Sequence, residues 1–183
     1  MKLGERLRRD EKTERFERLV LPHLDAAHNL AFWITRDRDQ AEEAVQEAML
    51  RAFRFFDGFR GEDAKAWLLG IVRNTCYTLH GRAPDAGRHD AFDEEAHGVE
   101  QPLGDPERAA LARAESEAVN RALAALPAEF REALVLRELE GLTYRQIAAI
   151  AQVPIGTVMS RLARARRLLR QALAGETDGG CKR

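Results

Sequence analysis

The sequence has little of what would cross-link the chain or carry it into a membrane. Its two cysteines, Cys76 and Cys181, are too few and too far apart for a disulfide framework or a zinc ribbon. The first ten residues, MKLGERLRRD, lack the apolar core of a signal peptide. No apolar run approaches the length of a membrane span. We therefore expect a protein of the reducing cytoplasm that does not insert into the membrane.

Signatures of catalysis are missing as well. The sequence contains no phosphate-binding glycine loop, no nucleophile elbow and no metalloprotease motif. Its five histidines show no metal-ligand spacing with the cysteines. These absences predict a protein that is not an enzyme and uses no cofactor or metal.

Residues that favour β-sheet are modest in number, whereas Ala, Leu, Arg and Glu dominate, and this composition predicts an all-α protein. The net charge of −1 hides a segregation of charge along the chain. Residues 83–107 contain eight acids and one base, Arg88, with few large apolar side chains. Such a segment buries too little to offset its ordering entropy. We therefore predict two small helical domains, residues 13–82 and 113–174, joined by a flexible acidic linker, residues 83–112.

The first domain contains two strongly patterned helices. One runs from a cap at Asp39, with Glu42 completing a capping box, to about Phe56. Its apolar stripe is predicted to place Phe55 and Phe56 in the core. The other spans about Ala64–His80 and is expected to bury Trp67, and the phenylalanine- and glycine-containing segment between the two is predicted to be a loop.

The second domain carries the pattern of a helix-turn-helix. Thr143 is a predicted N-cap for a helix over 144–151, and a break at residues 152–154 precedes a basic helix that begins near Ile155 and ends before Gly175. The tail beyond it is expected to be disordered. No acid lies between Gly141 and Gly175 to balance the arginines of this helix, a composition that favours DNA in the major groove. The predicted interlock between the two helices comprises Ile147, Ala148, Ile150, Val153, Val158 and Leu162.

Two blocks of sequence resemble a known family. Residues 125–167, including LPAEFREALVLRELEGLTYRQIAAIAQVPIGTVMSRLARAR, are similar to the C-terminal DNA-binding domain of bacterial RNA polymerase sigma factors. The run DRDQAEEAVQEAMLRAFRFFDGFRGEDAKAWLLGIVRNTCYTLHGR resembles their promoter-melting domain. A chain with only these two domains resembles the extracytoplasmic-function (ECF) group of the sigma-70 family. The resemblance covers nearly the whole chain except the linker and both tails.

The resemblance implies that the protein binds core RNA polymerase and promoter DNA and is held inactive by an anti-sigma factor. It implies a role for each patterned segment. Polymerase binding is expected from Asp39, Glu42, Glu43, Gln46 and Glu47. Recognition and melting of the −10 element are expected from Phe59, Arg60, Lys65, Arg73, Asn74 and Tyr77. Recognition of the −35 element is expected from Thr157, Met159, Ser160, Arg161, Ala163, Arg164, Arg166 and Arg167.

The sequence departs from the family pattern on its predicted −35 face. Family members often carry a basic residue where Met159 stands, and sometimes a bulky one where Ala163 stands. The helix that melts DNA ends in Leu79-His80-Gly81-Arg82, where the family often has a more basic cluster. The docking mode is expected to be retained, whereas the base preference is left open.

Two other functions fit the residues less well. A helix-turn-helix regulator that binds duplex DNA without acting as a polymerase subunit would need a ligand pocket or phosphoacceptor in the first half, and the sequence offers neither. A helical adaptor that binds only protein would place the basic helix against an acidic partner. Salt-dependent DNA binding would separate these alternatives.

Overall fold

The computed structural model describes residues 2–61, 63–80 and 116–179, with side chains between residues 10 and 174 of these ranges. The predicted linker 83–112, Arg82 and Cys181 therefore lie outside the described residues. All regular elements in the described ranges are helical, which confirms the predicted fold class. The helices are α1 (Lys2–Leu19), α2 (Leu24–Thr35), α3 (Arg38–Phe55), α4 (Ala64–His80), α5 (residues 116–124), α6 (Ala128–Leu134), α7 (Tyr144–Ala151) and α8 (Ile155–Gly179).

Three short segments link these helices. Single 3₁₀ turns occupy Leu21–His23 and Phe56–Gly58, and α6 continues as a π-helical segment, Val135–Leu139. Gly141 then adopts a φ of 70° and ends this helical stretch, since glycine enters the left-handed region without steric cost. None of the described helices is long and apolar enough to cross a membrane.

Side-chain caps define the starts of α3 and α7. The Thr143 side chain accepts a hydrogen bond from the backbone N–H of Gln146, and the Gln146 side-chain oxygen accepts one from the backbone N–H of Thr143, so the predicted cap of α7 is confirmed as a full capping box. The predicted cap of α3 at Asp39 is wrong. Asp37 is the cap, and its Oδ1 accepts from Gln40 N at 2.9 Å. Asp37 has the extended backbone that a cap requires because Arg36, at φ 61°, has already ended α2.

Two predictions about the ends of elements are also wrong. Phe55 is 63% exposed, and only Phe56 enters the core, because the 3₁₀ turn that follows α3 redirects the chain at this point. The last helix does not end before Gly175 but continues to Gly179, within the tail that was expected to be disordered. A single glycine costs a helix only about 1 kcal/mol, too little to end it without a competing cap.

The apolar core runs continuously through both halves of the chain. Leu30 and Trp33 of α2, Val45 of α3, and Leu68 and Val72 of α4 form its first part. The residues of the second part belong to the same cluster, with Leu136, Ile147, Val158 and Leu162 at its centre. Helix α2 contacts α6 directly, and α4 contacts α7. The two helical units are thus packed against each other.

Cys76 faces this core from α4 and is 1% exposed. Burial raises the pKa of its thiol to about 12. A thiolate is the reactive form of cysteine, so Cys76 behaves as a small buried hydrophobe.

Candidate nucleic-acid interface

Helices α7 and α8 meet in the geometry of a helix-turn-helix. The turn is made by Gln152, which adopts a left-handed φ of 56°, and Val153 N then donates to Ala148 O at 3.1 Å. Ile147, Ile150, Val158 and Leu162 are buried between the helices, and Ala148 and Val153 pack against them. The predicted interlock is therefore confirmed, and it leaves one side of α8 facing outward.

The outward side of α8 carries most of the predicted −35 residues. Met159, Ser160, Ala163, Arg164, Arg166 and Arg167 are exposed, whereas Thr157 and Arg161 are half-buried. Ser160 Oγ donates to Thr157 O at 2.9 Å and so satisfies its hydroxyl proton within the helix. The exposed groups lie within the first four turns of the helix.

Two arginines of α8 are not free of acidic partners, and the expectation that nothing balances them is wrong. Arg161 lies 3.1 Å from a Glu129 oxygen, and Arg166 lies 2.7 Å from one of Glu138. The hydrogen bond to Glu138 raises the pKa of the Arg166 guanidinium above its usual value. Both acids come from α6 and the segment after it, outside the acid-free stretch of sequence. Within the described part of the chain, Arg164 and Arg167 form no ion pair.

Phe59, one of the two aromatic residues proposed for the −10 element, packs in an aromatic cluster with Phe56 and Trp67. Phe59 is 6% exposed, is stacked on Phe56 with ring centroids 5.9 Å apart, and lies 4.8 Å from the Trp67 ring. Trp67 is half-buried and packs against the core, so its expected burial is only partial. In this conformation the Phe59 ring faces protein rather than solvent.

Arg73 and Tyr77, also proposed for the −10 element, both bind Glu132 of α6. Arg73 Nε donates to one Glu132 oxygen at 2.6 Å, and Tyr77 Oη donates to the other at 2.5 Å. The side chains of Arg73 and Glu132 are 9% and 3% exposed. Burial, with the adjacent Glu132 charge, raises the pKa of the Tyr77 hydroxyl. We call this set of three residues the Glu132 cluster.

A second set of contacts ties α2, the start of α4 and the loop before α4 to the second half of the chain. Lys65 Nζ lies 2.8 Å from a Glu140 carboxylate oxygen, and Asn29 Nδ2 donates to the other oxygen of that carboxylate at 2.6 Å. Asp63 accepts a hydrogen bond from the Gln146 side chain at the start of α7. Of the residues proposed for the −10 element, Arg60 and Asn74 are exposed. Phe59 and Arg73 are buried, Tyr77 is hydrogen-bonded to Glu132, and Lys65 is ion-paired with Glu140.

The residues proposed for polymerase binding lie together on α3. Asp39, Glu42, Glu43 and Gln46 are exposed, and Glu47 is half-buried and accepts from Arg51 Nε at 2.7 Å. Beside them α2 and α3 enclose an open cavity of about 410 Å³. It is lined by Glu42 and by α2 residues that the sequence did not single out for this surface, including Asp25, His28 and Phe32. The α2 residues carry no motif of their own, because only the packing of the two helices brings them to this surface.

Sequence reasoning also missed the acids that cover the proposed DNA-binding groups. Glu132 and Glu140 are separated from their partners Arg73 and Lys65 by 59 and 75 residues. No local spacing could indicate such pairs. The signal available was an excess of acids around the second domain's first helices, which is common on helical surfaces.

Comparison with known proteins defines the class to which this arrangement belongs. A family model described as "Sigma-70 region 2" matches residues 19–83, and one described as "Sigma-70, region 4" matches residues 116–169. The chain is 39% identical over 180 residues to the RNA polymerase sigma-H factor of Pseudomonas aeruginosa, covering 93% of this chain and 92% of that one. It is 37% identical to the ECF RNA polymerase sigma-E factor of Escherichia coli K12, over 76% of this chain and 78% of the relative.

Solved structures agree with this class. The sigma factor RpoE of Bartonella quintana, in complex with the anti-sigma factor NepR, matches with a TM-score of 0.70 and 30% identity over 88% of this chain and 98% of that one. CnrH, in complex with the cytosolic domain of CnrY, shares the fold with a TM-score of 0.60 and 23% identity. The protein is thus a DNA-binding transcription initiation factor. The chain belongs to the ECF group of the sigma-70 family.

Proposed function

We propose that the protein gives core RNA polymerase its promoter specificity through three separate surfaces. These are the acidic side of α3, the outward side of α8, and the surface of α4 with the loop before it. We assign residues 13–82 and 113–174 as the two functional domains and residues 83–112 as the linker. The observation that carries the proposal is the exposed arginine-bearing side of α8 in a chain that also exposes an acidic helix.

The acidic side of α3 suits a basic surface of the polymerase. Asp39, Glu42, Glu43 and Gln46 are exposed on it, so they can meet a partner without rearrangement of the helix. Charge complementarity of this kind raises the association rate and sets the register between the partners. RNA polymerase is a cytoplasmic enzyme, so a subunit that acts with it is cytoplasmic too. Its contribution is binding, with no catalytic step of its own.

The outward side of α8 suits duplex DNA of the −35 element. Arg164 and Arg167 are exposed and available for a guanine edge or a phosphate. Arg161 and Arg166 are held by Glu129 and Glu138, so they would have to exchange a carboxylate for DNA. This surface lies open in the described conformation.

Part of the surface proposed for the −10 element is covered instead. Arg73 and Tyr77 both bind Glu132, and they could not bind that carboxylate and a DNA strand with the same polar atoms at one time. Capture of unpaired bases, worth about 1–3 kcal/mol per stacked base, would therefore require α6 to leave α4. Binding single strands better than duplex would then supply the free energy for opening.

Run-off transcription with purified core polymerase tests the proposed function. We expect promoter-specific transcripts only when this protein is added, and we expect Glu43→Lys to reduce them about tenfold or more by reversing one charge on the polymerase side of α3. Glu14→Lys, which reverses an exposed acid on α1, is the matched control and should transcribe as the unchanged protein does. Absence of promoter-specific transcripts, after removal of any inhibitor, would overturn the proposal.

We also propose that an anti-sigma factor holds the protein inactive, because the similar structures of RpoE and CnrH are complexes with NepR and with the cytosolic domain of CnrY. An inhibitor that covers α3 should compete with core polymerase for it. Affinity purification from resting cells should therefore recover a stoichiometric partner that suppresses run-off transcription. Recovery of the protein bound only to polymerase under those conditions would count against this regulation.

A further inference from the structure

A narrow apolar stripe runs along the outward side of α8. Ile155, Met159 and Ala163 follow one another at four-residue spacing, which places them on one line of the helix. Ile155 is 43% exposed and Met159 is 54% exposed, and Ala163 is exposed too. The core contacts of α8 are made from the neighbouring face, where Val158 and Leu162 are each 1% exposed. The stripe is thus left accessible to solvent.

The charges around this stripe indicate what would cover it. Arg167 continues the four-residue spacing one turn beyond Ala163, and Arg164 follows Ala163 in sequence; both are exposed and form no ion pair in the described part of the chain. Arg166, three residues beyond Ala163, is held by Glu138, and Arg161 is held by Glu129. An occupant that matches this surface has anionic groups next to an apolar group. Duplex DNA has this arrangement, with its phosphates flanking a major groove in which the thymine 5-methyl is the apolar group on the base edges.

We infer that Met159, with Ala163 beside it, reads thymine 5-methyl groups in the −35 element. The inference rests on the proposed function and names the base chemistry for which α8 selects. Met159 has no hydrogen-bond donor, so it cannot make the bidentate contact with guanine that an arginine makes. Its unbranched, polarisable side chain can adapt to the irregular surface of a methyl-bearing base edge. Ala163, one turn further on, is small enough to let the base pair approach the helix.

Removal of single methyl groups from DNA tests this reading. Preferred −35 sequences are first selected from randomised duplexes with the reconstituted holoenzyme, and each thymine is then replaced in turn by deoxyuridine, which pairs identically but lacks the methyl. We expect the replacement at one or two positions to weaken holoenzyme binding about fourfold, the effect of one buried methyl group. Fluorescence anisotropy with labelled duplexes measures the change.

Three variants decide which residue is responsible. Met159→Ala should lose the sensitivity to deoxyuridine at the affected position, and Met159→Arg should shift selection there toward guanine. Leu139→Ala removes an apolar side chain of similar exposure, 52%, from outside α8 and should keep the full sensitivity. Equal binding of thymine and deoxyuridine duplexes, or the same sensitivity in Met159→Ala, would overturn the inference. If the holoenzyme selected no sequence at all, the proposed function itself would fail, and that result is distinguishable from a selected sequence that is indifferent to methyl groups.

Discussion

Replacing Glu132 with alanine is expected to separate the two domains of the free protein. Arg73 would be left as a buried charge without its partner, and Tyr77 would lose the acceptor of its hydroxyl proton. Removing one member of a buried ion pair costs about 3–5 kcal/mol. The closed arrangement, in which the second domain covers Arg73, bears this cost. An open arrangement, in which the two domains are apart, exposes Arg73 to water and avoids it. The equilibrium should therefore move toward the open form by a factor of about a hundred or more.

Two measurements follow this opening. Small-angle scattering should give a larger radius of gyration for Glu132→Ala than for the unchanged protein. The free protein should also bind a single-stranded non-template oligonucleotide up to about a hundredfold more tightly, because apparent affinity scales with the fraction of molecules in the competent form. The far-ultraviolet circular dichroism spectrum should remain that of a helical protein, which distinguishes separation of the domains from unfolding.

Glu138→Ala is the matched control for this experiment. Glu138 lies six residues from Glu132 and pairs with Arg166, but the two side chains of that pair are 46% and 45% exposed. Exposed pairs contribute only about 0–1 kcal/mol, so this variant should remain closed. Unchanged scattering and unchanged single-strand affinity in Glu132→Ala would contradict the view that the Glu132 cluster holds the domains together.

The contacts that oppose function in this structure are the ones that sequence reasoning could not find. Periodicity and capping are local, and they predicted α4, α7 and the interlock of the helix-turn-helix from residues within one or two turns of each other. Thr143 is an example, since its partner Gln146 lies three residues away. Arg73 and Glu132 lie 59 residues apart, and only the packing of α4 against the second domain brings them together.

Errors at single positions have the same origin. Asp37 and Asp39 are equally good caps by residue type, and the left-handed turn at Arg36 decides between them. Phe55 and Phe56 are equally apolar, and the direction of the chain after α3 buries only Phe56. The arginines of α8 have no acid nearby in sequence, yet Glu129 and Glu138 reach two of them from α6 and the segment that follows it. In each case the local sequence allows more than one outcome, and tertiary packing determines which one occurs.

Replacing Arg164 with alanine is expected to weaken binding of the holoenzyme to −35 duplex by about 1–3 kcal/mol, or roughly 5–150-fold. Arg164 is exposed on the outward side of α8 and has no acidic partner in the described chain, so its full hydrogen-bonding capacity is available. If it reads a base, the loss should be confined to sites that carry one base at one position. Duplexes substituted at each position of the −35 element would locate it.

Arg161→Ala should have a smaller effect on the same duplexes. Its guanidinium already binds Glu129 at 3.1 Å with the side chain 17% exposed, so contact with DNA would first require that bond to be given up. Binding measured at several salt concentrations separates the remaining possibilities. Replacing a residue that contacts only phosphate makes the slope of log affinity against log salt less negative by about 0.9 and weakens binding to all sequences alike. Arg18→Ala, an exposed arginine on α1, provides the control and should change neither slope nor selectivity.

The contrast between Arg164 and Arg161 also tests how the acids of the second domain shape recognition. A large effect at Arg161 that equals the effect at Arg164 would mean that DNA displaces Glu129, and Glu129→Gln should then strengthen binding by releasing the arginine. A small effect at Arg161 would mean that Glu129 keeps this arginine on the protein and leaves recognition to Arg164 and the apolar stripe. We expect the second result, because the arginine that is already paired would lose a hydrogen-bonded carboxylate for every contact that it gains on DNA.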